Sequence, residues 1–117
     1  MKYKTLNTIL YCKKWEDTIK FYKEIIRLDV CFSNGWFVEF HLNDGAKLSI
    51  VNEQRTTIKS NQGEGITLGF QVDDIQNMFT FINQLNIHSS PIKELWGAWV
   101  FYIYDPEGTR IEFWSPV

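Results

Sequence analysis

Charged side chains of this sequence that sit inside apolar, alternating runs are the places to look for chemistry, because such groups are costly to bury unless something pairs with them. Glu112 stands between Ile111 and Phe113 in TRIEFW, with Arg110 two residues earlier, and Glu39 and His41 stand two apart in FVEFHL. Residues two apart on a strand share a face. A carboxylate at Glu112 can ligate a divalent ion, contact a substrate or move a proton; the alternative is an acid that only hydrogen-bonds to a neighbour or to water. Glu39 beside His41 can act as a general acid/base pair, since a nearby carboxylate favours the imidazolium. Against this stands the ordinary solvated sheet histidine, and His88 reads as a loop residue. Cys12 and Cys31 lie in strand-like runs without CxxC spacing and read as free buried thiols with no chemistry assigned. No P-loop, dinucleotide glycine fingerprint, Ser-His-Asp order or zinc spacing is present.

The elements that must position these residues follow from periodicity. NTILYC (7–12) alternates as a strand, and Trp15, Ile19, Tyr22 and Ile26, with Phe21 and Ile25, form the stripe of an amphipathic helix over about 15–27. VCFS, GWFVEFHL and AKLSIVNE read as three strands, the last two joined by a turn at Asp44-Gly45. Residues 53–65 lack periodicity and end in Gly63-Glu64-Gly65, a linker signal. The pattern then begins again: ITLGFQV is a strand, and Asp73 and Asp74 can cap a helix whose face carries Ile75, Met78, Phe79, Ile82 and Leu85. HSSPIKEL, WVFYIYD and TRIEFWS are strands, the last two joined by the turn Asp105-Pro106-Glu107-Gly108.

The chain is thus an internal repeat. An offset of 60 lays Asn7 on Thr67, Leu10 on Phe70 and Ile19 on Phe79; an offset of 63 lays Lys47 on Arg110, Leu48 on Ile111 and Ser49 on Glu112. The expected fold is α+β, with eight strands and two helices in two βαβββ modules: module one 1–53, linker 54–65, module two 66–117, together forming a single domain. A helix covers one face of each module's sheet, so the other face must be buried by the copy, a ligand or a partner chain.

Composition narrows the function. At 117 residues the chain suits one domain with a real core, and 44% hydrophobic with 22% charged residues is ordinary for a globular protein. The aromatic excess, nine Phe, five Tyr and five Trp, points to a large core or a groove for a flat ligand. A net charge of −2 without basic clusters argues against nucleic acid. No apolar run reaches membrane-span length and the N-terminus lacks a signal-peptide cleavage site, so no membrane role and a cytoplasmic location are expected.

The order of elements, the IKFYKEI segment and above all WGAWVFYIYDPEGTRIEFW resemble the vicinal oxygen chelate superfamily: glyoxalase I, fosfomycin-resistance transferases, extradiol dioxygenases and bleomycin-resistance proteins. The resemblance spans essentially the whole chain and implies modules paired into a curved mixed sheet around a cleft, helices on the outer face, and a homodimer. In metal-dependent members the ligands come from the first and fourth strands of each module, which here are Asn7, Ser49, Thr67 and Glu112. Of these only Glu112 is a good ligand; Ser49 and Thr67 are neutral hydroxyls, and a catalytic ion needs about three basic donors. No cofactor is therefore expected, and Glu112 is the one ligand candidate if a divalent metal binds.

Strand parity with those four places sets the cleft face for Asn7, Ile9 and Tyr11, for Thr67, Gly69 and Gln71, and for Arg110, Glu112 and Trp114, with Lys47, Ser49 and Val51 completing module one. The repeat matches Glu39 with Tyr102 and His41 with Tyr104, and the resemblance to fosfomycin-resistance transferases, in which an aromatic at the Tyr102 place faces the site, implies that these four share that face. Trp15 reads as core. A Trp-Gly at the place of Trp96 lies at the groove mouth in bleomycin-resistance relatives, so Trp96, Trp99, Tyr102 and Trp114 are expected to form a stacking surface, a dimer interface being the alternative. The expected function is a metal-independent binder of a small aromatic or amphipathic molecule, of the bleomycin-resistance type, rather than an enzyme. The competing class is a glyoxalase-like lyase or isomerase, or a fosfomycin-type thiol transferase, using Glu112 on a metal. Glu112, His41 and Glu39 are the catalytic candidates. A small dimeric interaction domain is a third reading.

Overall fold

The structure, a computed structural model, describes residues 1–117. Strands β1 (Leu6–Cys12), β2 (Asp29–Ser33), β3 (Phe37–Asn43) and β4 (Ala46–Asn52), with helix α1 (Trp15–Lys20), make the first module; β5 (Thr67–Gln71), α2 (Ile75–Gln84), β6 (Lys93–Leu95), β7 (Ala98–Tyr104) and β8 (Arg110–Pro116) make the second. Each is a four-stranded mixed sheet, ordered β1-β4-β3-β2 and β5-β8-β7-β6, with first and fourth strands parallel and the remaining pairs antiparallel. The α+β fold of two βαβββ modules is as the repeat implied. Contacts divide the chain into compact units, Met1–Gln62 and Gly63–Val117.

The repeat holds residue by residue in the register. Ile9 opposes Ser49, which opposes Glu39; sixty to sixty-three residues later Gly69 opposes Glu112, which opposes Tyr102. Alternation sends the neighbouring residues to the helix side. In the first unit Leu10, Cys12, Phe40, Leu48 and Ile50 are buried there, with Thr18, Phe21 and Tyr22 also buried on the helix. In the second, Phe101, Ile103, Ile111 and Phe113 are buried, together with Ile75 and Ile82 of α2. Phe79 meets Phe101 edge to face at 5.2 Å, and Phe101 lies 5.2 Å from Phe113. Each such side chain contributes about 1.5–3 kcal/mol by leaving water.

The first helix departs from the regular stripe. After Lys20 it widens into a π-helical turn, Phe21–Ile25, with Ile26 N–H donating to Phe21 O at 3.1 Å. The wider turn lets the adjacent Phe21 and Tyr22 both turn inward, rings edge to face at 5.1 Å. Arg27, in the left-handed region (φ 64°), ends it, and Leu28 N–H closes on Tyr22 O at 3.0 Å. Helix α2 is regular, capped by Asp74 whose carboxylate accepts from Asn77 N–H at 3.0 Å. Its expected apolar face is truncated, because Leu85 is exposed. Strand β6 covers only Lys93–Leu95 of the HSSPIKEL run; Ser90 N–H instead donates to Tyr102 O at 3.0 Å.

The Asp-Pro-Glu-Gly turn is held by its own aspartate. The buried Asp105 carboxylate accepts from the N–H groups of Glu107 and Thr109, both at 2.9 Å, and Gly108 N–H donates to Asp105 O at 3.0 Å. Gly63 (φ +73°) lies against this turn so closely that a Cβ there would overlap the backbone of Gly108 and Thr109. At Gly69 the φ is ordinary, and a Cβ would meet only Glu112 Oε2, at 3.8 Å. Gly63→Ala is therefore expected to destabilise the chain by about 2 kcal/mol or more, and Gly69→Ala by under about 1 kcal/mol. Urea denaturation of both variants checks this; equal midpoints would contradict the packing of Gly63 on the turn.

Candidate functional site

The open face of the second unit carries three cross-strand rows. Thr67, Arg110 and Tyr104 form one; Gly69, Glu112 and Tyr102 the next; Gln71, Trp114 and Val100 the third. On the β6 side of these rows, away from β5, lies a pocket of about 310 Å³, lined by Ser90, Pro91, Lys93, Glu94, Leu95, Val100, Tyr102, Arg110 and Glu112. Its side wall exists because Ser90 is fastened to β7, its Oγ accepting from Tyr102 N–H at 2.9 Å. Pro91, Leu95 and Val100 give apolar walls, and the chemistry is concentrated on β8.

Arg110 lays its guanidinium over the Tyr102 ring, 3.9 Å from the centroid, and Tyr102 in turn meets Tyr104 at 5.8 Å, near perpendicular. Arg110 Nη2 stands 3.7 Å from Glu112 Oε1, close enough for charge attraction and too far for a hydrogen bond. Arg110 Nε is buried with no hydrogen-bond partner. Because both charged side chains are roughly one third exposed, their attraction is worth little in stability and acts chiefly to hold them side by side. The arrangement can grip a ligand by stacking, by N–H donors from Arg110 and by acceptor oxygens of Glu112. Gly69, opposite Glu112, adds no side chain to crowd it.

The first unit's open face is differently used. Ser49 is fully buried and its Oγ donates to Asn7 Oδ1 at 2.9 Å. Glu39 Oε2 accepts from Cys31 Sγ at 3.0 Å and lies 3.3 Å from Lys47 Nζ. The Glu39 carboxylate thus serves a thiol and an ammonium rather than His41, which is exposed between Asp29 and Lys47 in the register. The acid/base pairing open to Glu39 and His41 is not formed, and His41 is an exposed sheet histidine, the alternative weighed against it. Tyr11 is half-buried opposite Val51.

Other expectations are corrected too. Cys31 is exposed, not buried, because β2 is the exposed edge strand of its sheet and alternation puts Cys31 on the face of Asp29, where its thiol meets Glu39; Cys12 is buried, and neither cysteine is in a disulfide. Trp99 opposes Ser115 and alternates with Tyr102, so it lies on the helix side of β7, opposite to Tyr102 and Trp114. Trp96 occupies the two-residue turn between β6 and β7 in left-handed backbone (φ 51°) and is 95% exposed. The four-member stacking surface therefore reduces to Tyr102, with Trp114 one row away. Gln71 and Thr67 are exposed on β5. Among pocket residues not singled out by the sequence, Val100 was within reach of parity with Tyr102, whereas Ser90 and Pro91 are placed by a backbone pairing that no local pattern signals.

The four positions at which the family's metal ligands fall do not fit a divalent ion. Asn7 and Ser49 satisfy each other, Thr67 is a neutral hydroxyl, and Glu112 stands beside a guanidinium that repels a cation. No three His, Cys, Asp or Glu side chains gather in a metal-holding group.

Duplicated βαβββ modules, each with a helix-backed sheet and a polar, aromatic open face, define a class of small α+β domains. The chain belongs to the glyoxalase-like domain family, whose model matches residues 5–117. Among solved structures it resembles a glyoxalase/bleomycin resistance protein/dioxygenase from Nocardioides (TM-score 0.82, 15% identity, 100% of this chain and 85% of that one). It also resembles an antibiotic binding protein from a Streptomyces species (TM-score 0.78, 15% identity, 100% and 97%) and a lactoylglutathione lyase from Agrobacterium tumefaciens (TM-score 0.77, 20% identity, 94% and 91%). At these identities the likeness is one of fold. No curated protein matches the sequence. No helix is long and apolar enough to cross a membrane.

The Cys31–Glu39 contact sets a pH dependence. The thiol hydrogen bond, aided by Lys47 and opposed by partial burial, holds the Glu39 carboxyl below its ordinary range. The same bond, with lost hydration and the Glu39 charge, pushes the Cys31 thiol up. Glu39's contribution is thus lost as the pH falls through its lowered value, and that of Cys31 as the pH rises through its raised one. Alkylation of Cys31 by iodoacetamide should show a rate midpoint above that of an ordinary thiol, moving down in Glu39→Gln. A wild-type midpoint at or below the ordinary value would contradict this.

Proposed function

We propose that this protein is a metal-independent small-molecule binder that holds its ligand in the pocket above Tyr102, Arg110 and Glu112. The observation that carries the reading is Arg110: a guanidinium stacked at 3.9 Å on an aromatic ring, at the wall of a pocket of about 310 Å³, with a buried Nε–H that nothing in the chain satisfies. The rest of the guanidinium is only part-buried and makes no side-chain hydrogen bond, so its outer N–H donors are open to a ligand acceptor. Pro91, Leu95, Val100 and the exposed edge of Tyr102 supply the apolar contact typical of such pockets.

Support comes also from the fold shared with an antibiotic binding protein. That fold is equally shared with a lactoylglutathione lyase, so the choice between binder and enzyme rests on the donor set at Asn7, Ser49, Thr67 and Glu112, which suits no catalytic ion. A cytoplasmic homodimer completes the proposal.

Titration with a panel of mono- and bicyclic aromatic molecules, followed by tryptophan fluorescence, tests it. Trp114, one row from Tyr102, is the expected reporter. Binding should weaken by about tenfold or more in Tyr102→Ala, which removes both ring contact and the support of Arg110, and remain within about twofold in Trp96→Ala. No response to any member of the panel, or an undiminished response in Tyr102→Ala, would contradict the assignment.

A further inference from the structure

We propose, resting on the binder reading above, that this pocket selects an uncharged amide or urea group, its carbonyl on Arg110 and its N–H on Glu112, with an aryl or alkyl body along Pro91, Leu95 and Val100. Four charged side chains line the pocket, and they cancel: Lys93 and Arg110 against Glu94 and Glu112. A ligand with net charge would therefore meet as much repulsion as attraction, and its own hydration would be lost on entry.

The two central groups are complementary in charge but not spent on each other. The Arg110 and Glu112 side chains are 3.7 Å apart, beyond hydrogen-bond range, and neither side chain makes a hydrogen bond within the chain. Side by side on one strand face, they offer a row of N–H donors next to a pair of acceptor oxygens. A carboxylate ligand would satisfy Arg110 but place its charge against Glu112. An ammonium would satisfy Glu112 but sit against Arg110. A group that carries an acceptor and a donor on neighbouring atoms, with no net charge, satisfies both. Gly69 keeps the approach to Glu112 Oε2 open from β5, where the first module has Ile9. Mismatch is costly here, because a ligand lacking either partner leaves a half-buried charged group unpaired.

The test uses three matched probes, 2-naphthamide, 2-naphthoate and methyl 2-naphthoate, titrated into the full chain and followed by proton–nitrogen correlation spectra that include the Arg110 Nε–H signal. The amide should bind about tenfold or more tighter than either the acid or the ester, the ester keeping the acceptor but lacking the donor. The Arg110 Nε–H signal should move with the amide. In Glu112→Gln, which leaves the pocket net positive, the order of amide and acid should reverse. Arg110→Lys, which keeps the charge and loses the planar fork, should weaken the amide selectively, and it serves as the second variant should Glu112→Gln fail to fold. Acid binding as tightly as amide, or an order unmoved by Glu112→Gln, overturns the amide assignment and leaves the binder reading standing. Failure of all three probes to bind overturns both.

Discussion

Parallel pairing of the first and fourth strands is the constraint on which each module depends. Because β1 lies beside β4, and β5 beside β8, the chain must leave the sheet after its first strand, cover one face with a helix and return through an antiparallel hairpin before closing. The helix can shield only one face. The other is then furnished by alternate residues of three adjacent strands, in rows fixed by register: Ile9–Ser49–Glu39 in one module, Gly69–Glu112–Tyr102 in the other. A slip of one residue would exchange these with the core set, so the hydrophobic pattern that stabilises the sheet also aims the polar groups.

The same frame is used in two ways. In the first unit the middle row is closed, with Ile9 as a bulky neighbour, Ser49 buried on Asn7 and Glu39 engaged by Cys31 and Lys47. In the second it is open, with a glycine where the isoleucine stood, and a carboxylate and an unsatisfied guanidinium held beside each other on a tyrosine face. Duplication supplied the geometry twice, and the side chains leave polar capacity unspent only in the second copy. Unspent buried capacity is what a ligand site requires and what a purely structural sheet avoids.

Much of this was legible in the sequence, for reasons that can be named. Alternation places Arg110 and Glu112 on one face without any structure, and the family resemblance adds Tyr102 to it. Where parity was set aside it misled: Trp99 is three residues from Tyr102, an odd step, and belongs to the helix side however aromatic its surroundings. The π-helical turn at Phe21–Ile25 escaped because its hydrogen bonds run one residue longer than the period that reveals helices. Cys31 escaped because an apolar strand-like run carries no sign that β2 lies at the sheet edge, exposed along its whole length. Ser90 and Pro91 owe their place to β7, far along the chain, and local pattern carries no sign of it. The signature Asp105 accepts two backbone N–H groups of its own turn, so part of the most recognisable motif serves folding.

The proposed binder reading turns on the donor chemistry of four strand positions, of which one is a carboxylate and that one is already beside an arginine. The most direct measurement is the metal content of the full chain after equilibration with nickel, zinc, manganese or ferrous iron and removal of free ion. Far less than about one ion per chain is expected for every metal, unchanged in Glu112→Gln; about one ion per chain, lost in that variant, would contradict metal-independent binding.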